Sequence, residues 1–155
     1  GSVTQPNDMT IPTTQMGRNT MHLTPIMMSI CLLWASNASA SGEPTTVYIV
    51  SPQDGAVVNN PVNIIFGLRN NVGVAPAGVV KENTGHHHLL IDTDAPDLTQ
   101  PIPKDEQHRH FGGGQTEVEL TLAPGAHSLQ LLLGDFAHIP HSPAIMSERI
   151  NITIE

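Results

Sequence analysis

Gln115-Thr116-Glu117-Val118-Glu119-Leu120-Thr121-Leu122, then Pro124-Gly125, then His127-Ser128-Leu129-Gln130-Leu131-Leu132-Leu133: the reading of this stretch decides the fold class. Val118, Leu120 and Leu122 alternate with Glu117, Glu119 and Thr121, so one face is apolar and the other polar. That is the period of a half-buried strand. Pro124-Gly125 turns the chain, and the apolar run behind it predicts a second strand over 127–133.

The same signal recurs outward in both directions. Thr45 to Val50 alternates ahead of the turn Ser51-Pro52-Gln53-Asp54-Gly55, and Val62 to Leu68 follows Pro61. His86 to Asp92 places His87, Leu89 and Ile91 on one face and His86, His88 and Leu90 on the other. A short strand is predicted at 108–111, and a last one over 145–154 carries Ile150, Ile152 and Ile154 on one face. Between them, 70–85 holds Gly73, Pro76 and Gly78 and reads as a long loop. Residues 94–104 hold Pro96, Pro101 and Pro103 and exclude regular structure there. No stretch has a helical period. The expectation is an all-β domain: an immunoglobulin-like antiparallel β-sandwich of about seven strands, with a small β-barrel as the alternative. It would lack the disulfide and the core tryptophan of antibody domains.

The first part of the chain reads differently. Residues 1–20 look like a leader in which Gly1-Ser2 is a cleavage scar. From Met21 an apolar run through Met27, Met28, Ile30, Leu32, Leu33 and Trp34 ends in Ala38-Ser39-Ala40. About a dozen residues are too few to span a bilayer, which takes about 20, but they suit a signal peptide over 21–40. Cys31, the one cysteine, lies inside this run and follows Ile30 rather than a small residue, which argues against an acylation site. The expected mature part, 41–155, is then one histidine-rich domain in a periplasmic or secreted setting. It has no cysteine to form a disulfide, so burial of apolar surface must hold it together.

Composition bounds the partners. The domain carries five Lys and Arg against thirteen Asp and Glu, a net charge of −8. An acidic surface argues against nucleic acid and against anionic lipid, and suits cations. No membrane insertion is expected once the signal is removed.

The histidines carry the chemistry. Seven of nine fall in three clusters: His86-His87-His88, His108-Arg109-His110, and His138-Ile139-Pro140-His141. In an immunoglobulin-like sandwich the loops after the second, fourth and sixth strands gather at one end, which would bring the clusters together. His86 and His88 share a face, His110 precedes a glycine-rich turn, and the stiff His138–His141 loop presents another pair. Four imidazoles, or three with water, suit copper(II) or zinc. The predicted ligands are therefore His86, His88, His110, His138 and His141, with Asp135 as a further ligand or as a group orienting one of them. Met146 is the only methionine of the domain, so a methionine-rich copper(I) site is not indicated.

The remaining residues have plainer readings. His87, facing with Leu89 and Ile91, is expected to be a hydrogen-bonded core histidine, and His127 a structural residue bonding a turn carbonyl. His108, beside Asp105 and Glu106, reads equally as a solvated loop residue. Phe111-Gly112-Gly113-Gly114 reads as a tight turn, with a surface where a ligand approaches the backbone closely as the alternative, and Glu117 and Glu119 make a solvated face.

Gly85-His86-His87-His88-Leu89-Leu90-Ile91-Asp92, His110-Phe111-Gly112-Gly113-Gly114-Gln115-Thr116-Glu117, and Gly134-Asp135 with His138-x-Pro140-His141 also resemble a family of short exported bacterial proteins known only as a domain of unknown function. The resemblance runs from about Ala75 to Glu155 and implies an exported domain without implying an activity. Three functions compete. The first is a metal-binding carrier, buffer or sensor, copper ahead of zinc. The second is a module gripping another envelope protein or ligand without metal, against which the scarcity of aromatics counts. The third is a metal-dependent enzyme, for which no serine or cysteine nucleophile stands in a recognisable setting.

Overall fold

The two longest apolar strands set the architecture. In the computed structural model, which describes residues 43–155 and Gly17, β5 (Thr84–Ile91) and β8 (Gly125–Gly134) pair antiparallel. His86 stands opposite Gly134 and Ile91 opposite Leu129. β9 (Ile150–Ile154) adds to the other side of β8, and β2 (Val57–Val58) joins β9 in parallel. The free side of β5 takes β4 (Gly73–Val74) at its start and β6 (His108–His110) further along, which completes a six-stranded sheet. The second sheet is β1 (Thr46–Ser51), β3 (Val62–Arg69) and β7 (Glu117–Leu120), antiparallel with β3 in the middle.

The two sheets face each other over a core that includes Val47, Ile64, Phe66, Leu89, Ile91, Leu129, Leu131 and Ile152. Period-2 alternation explains the membership, since odd residues of β5 and β8 point to the opposing sheet. Each fully buried Leu or Ile contributes on the order of 1.5–3 kcal/mol. Among the described residues there is no helix, and the edges stay open, so the protein is a β-sandwich rather than a closed barrel. The first, second and fifth predicted strands form one sheet, and the third, sixth and seventh belong to the other, as in immunoglobulin domains.

Two details depart from the expectation. The fourth predicted strand, β6, pairs with β5 instead of with β7. The cause lies in the preceding proline-rich segment, which crosses the outer face of the six-stranded sheet. Ile102 packs there on Leu90 and Leu132 as a second small core, and its N–H donates to the His138 carbonyl at 2.8 Å. The chain is thus delivered to the β5 edge. The seventh predicted strand is regular only over Ile150–Ile154. Before it, Ser147 breaks the ladder: its N–H donates to the Leu131 carbonyl while its hydroxyl accepts the Leu131 N–H at 2.8 Å. The leader and the signal peptide, 1–40, lie outside the described residues apart from Gly17.

Candidate metal centre

Even-numbered residues of β5 face away from the main core, yet His86 and His88 are fully buried. What buries them is the loop from Asp135 to Pro140, folded back over the sheet, together with β6. His110 stands directly across from His88 in the β5–β6 ladder, so their side chains share a face. His138 arrives from the loop. Asp135 holds that loop closed: its Oδ1 accepts the N–H of Ala137 at 2.8 Å and of Ile139 at 2.9 Å. Its own N–H donates to Ile139 O, and its carbonyl accepts the His138 N–H. His138 turns at φ 67°, a left-handed conformation that costs a non-glycine residue energy and is maintained only by such surrounding bonds.

The result is a box of four imidazoles. Every pair among His86, His88, His110 and His138 has ring centroids between 4.7 and 6.0 Å apart. One ring nitrogen each from His86, His110 and His138 lies within 4.8 Å of the others. Two imidazole nitrogens each about 2.0–2.1 Å from one ion stand about 2.9 Å apart at a right angle and about 3.3 Å apart at the tetrahedral angle. The 3.0 Å between Nε2 of His110 and Nε2 of His138 falls in that range. Space for the rings comes from a missing side chain: a Cβ on Gly134 would lie 2.8 Å from Cε1 of His88 and 3.2 Å from Cδ1 of Ile102.

Electrostatics disfavour protonation of three of the four rings. Burial first, and then the neighbouring histidines, push His86 down to about 4 and His88 to about 3. Burial, His138 and Lys104 also hold His110 below the usual histidine range. Neutral imidazole is the form that ligates. Moreover, both nitrogens of His86 and both of His88 are buried without any hydrogen-bond partner among the described residues. A buried polar atom left unpaired costs about 1–3 kcal/mol, and one nitrogen of each neutral ring could ligate an ion while the other keeps its proton.

The structure therefore brings together four of the five predicted ligands. His141 is not among them: its Nε2 donates to the Thr84 carbonyl at 3.3 Å. Pro140 pairs with Gly134 and carries His141 past the cluster. Asp135 is not in the ligand-spaced group of His86, His110 and His138; its Oδ1 holds the backbone of the loop that carries His138. His87 is buried on the core side against Phe66, centroids 5.1 Å apart. Its nitrogens have no partner, so the hydrogen bond expected for it is absent. His127 lies at the far end of β8, where Nδ1–H donates to Asp92 at 2.6 Å and Nε2–H to the Ala123 carbonyl at 2.7 Å. His108 faces the Asp105 carboxylate at 2.8 Å. Sequence reasoning missed the clamp by Asp135 on its own loop, although Gly134-Asp135 ahead of a proline is a turn signal.

The fold and the cluster define a class: a β-sandwich domain with a histidine box on the outer face of one sheet. The chain belongs to a family described as a domain of unknown function (DUF4399), whose family model matches residues 64–155. The matched region contains all four rings of the box. Comparison with curated proteins and with solved structures finds no match.

Proposed function

We propose that this protein binds one transition-metal ion, copper ahead of zinc, through His86, His110 and His138 with His88 as the fourth imidazole, and serves outside the cytoplasm as a metal carrier, buffer or sensor. The observation that carries the reading is the pair of fully buried histidines, His86 and His88, with four unpartnered nitrogens beside two further imidazoles. A hydrogen-bond network that merely fixed the loops would be expected to satisfy those nitrogens. Here the one bond within the box joins His110 and His138 and leaves the buried pair out. Imidazole sets suit both metals, and copper(II) generally binds the tighter.

The test is to strip the full chain with a chelator, add copper(II) or zinc separately, and measure stoichiometry and melting temperature. The expected result is about one ion per chain and a raised melting temperature, because a ligand that binds only the folded state stabilises it. No tight uptake and an unchanged melt would overturn the reading, and binding to an envelope protein would become the leading alternative.

A further inference from the structure

The four imidazoles of the box are arranged as a tetrahedron and not as a plane. Five of the six pairs of ring centroids lie 4.7–5.2 Å apart, and the sixth, His88 with His138, lies 6.0 Å apart. In a square, the pair crossing it at the centre, His86 with His110, would be just as long, yet it measures 5.0 Å. An ion about 2.0–2.1 Å from one nitrogen of each ring stands about 3.2 Å from the ring centroids. A tetrahedral ion then spaces the centroids about 5.2 Å apart, whereas a square-planar one spaces them about 4.5 Å along the sides and about 6.4 Å across. The box has the first spacing.

The rings are also held against rearrangement into a plane. His86 and His88 are fully buried on β5, an inner strand of its sheet, opposite Gly134 and Leu132 of β8. His110 is fixed across from His88 by the β5–β6 ladder. The loop carrying His138 is fastened at three points: by the Asp135 carboxylate, by the Ile102 N–H on the His138 carbonyl, and by the Gly78 N–H on the Phe136 carbonyl at 2.9 Å. Zinc and copper(I) have filled d shells and accept a tetrahedron, whereas copper(II) draws nitrogen ligands towards a square plane. Charge points the same way for copper. The ligand-spaced group of His86, His110 and His138 consists of imidazoles alone, so no ligand there offsets the second charge of a divalent ion.

We propose that the box discriminates by oxidation state as well as by element: it holds copper as copper(I), and it favours copper(I) over copper(II) by far more than unconstrained imidazoles do. This rests on the metal-binding reading above. The test uses the chelator-stripped full chain. Copper(I) affinity is measured by competition with bicinchoninate under ascorbate, and copper(II) and zinc affinities by competition with a chromophoric chelator. The ratio of copper(I) to copper(II) affinity should exceed that of free imidazole by at least about 100-fold, which raises the potential of the bound couple by about 120 mV at about 59 mV per tenfold. Asp135→Ala frees the loop that carries His138, so it should lower the ratio by at least about 5-fold, and Asp135→Asn should restore most of it. A wild-type ratio no higher than that of free imidazole, or a copper(II) absorption spectrum matching the planar four-imidazole complex, would overturn the proposal while normal zinc uptake left the metal reading intact. A ratio in Asp135→Ala equal to that of the wild type would also overturn it, because the preference would not then come from a held geometry. Absence of uptake of zinc and of copper in either oxidation state would overturn both readings.

Discussion

His110 and His138 are the residues on which the metal reading is most directly exposed to mutation, because they are only half-buried and can be truncated without opening a fully enclosed cavity. His110→Ala or His138→Ala should each lower zinc or copper(II) affinity by at least about 10-fold, at or beyond the lower end of the loss seen when a group supporting a ligand is removed. His141→Ala should change affinity less than about 3-fold, because its ring faces the Thr84 carbonyl. Competition titration against a chromophoric chelator decides between them; equal losses in all three variants would mean that the box as drawn is wrong. A different histidine tests the fold alone. Both partners of His127 are acceptors, which requires the doubly protonated ring, and the Asp92 bond holds its pKa above the ordinary value. A raised histidine contributes stability that is complete below about pH 6.5 and fades as pH rises through the folded value. Asp92→Asn keeps the left-handed backbone at φ 53° but removes the charge. It should cost about 1–2 kcal/mol near pH 5.5, given partial exposure of the carboxylate, and less at pH 8, as read from denaturant midpoints.

At the scale of the element, the loop from Gly134 to Pro140 decides whether four histidines make a site. Gly134→Ala would drive a methyl into His88 and Ile102. Overpacking of this kind costs about 1–3 kcal/mol, and here it should weaken metal binding as well, although no ligand is changed. Asp135→Ala should do the same by freeing the N–H groups of Ala137 and Ile139. Asp135→Asn, which keeps an acceptor at Oδ1, should recover most of the loss in the same titration. Unchanged metal affinity in Asp135→Ala would show that the loop is not what orders His138. This loop also marks the limit of what the sequence makes legible. Strand alternation at Val118–Leu122 and along His86–Ile91 is written in the side chains, since one face must be buried. That alternation puts His86 and His88 on one face of β5 but does not bring His110 beside them, which the β5–β6 ladder does in place of the expected clustering of loops. The pairing of β6 with β5 is not so written, because it depends on Ile102 docking against Leu90 and Leu132, a contact between distant segments. The exclusion of His141 is equally hidden: only two residues separate it from His138, and the bridge between Gly134 and Pro140 sends the two rings apart.

For the molecule as a whole, the arrangement stores a pH dependence in three consecutive histidines. His86, His87 and His88 titrate in the unfolded chain near pH 6.5, but in the folded protein burial holds them at about 4, about 4 and about 3. Between those limits the unfolded chain binds more protons than the folded one, so stability rises with pH there. The sign follows directly: the contribution of these rings is complete above about pH 6.5 and is lost as pH falls towards 4. The slope is up to about 1.4 kcal/mol per pH unit for each ring. Against a total stability of about 5–15 kcal/mol for a domain of ordinary size, three such rings remove a large share of the stability of the metal-free chain by about pH 4. On the proposed metal reading zinc or copper(II) should change this, because an ion bound by His86 and His88 would hold them unprotonated and compete with protons for them. His87, on the opposite face of β5, remains outside that competition. The metal-loaded chain should therefore unfold at a lower pH than the metal-free chain, and it should release its ion in the same window in which stability begins to fall. Circular dichroism followed from pH 8 to pH 3, with and without zinc, measures the unfolding, and a zinc-sensitive dye in the same titration measures the release. Coincident acid transitions in the two samples would show that the ion does not engage the buried pair.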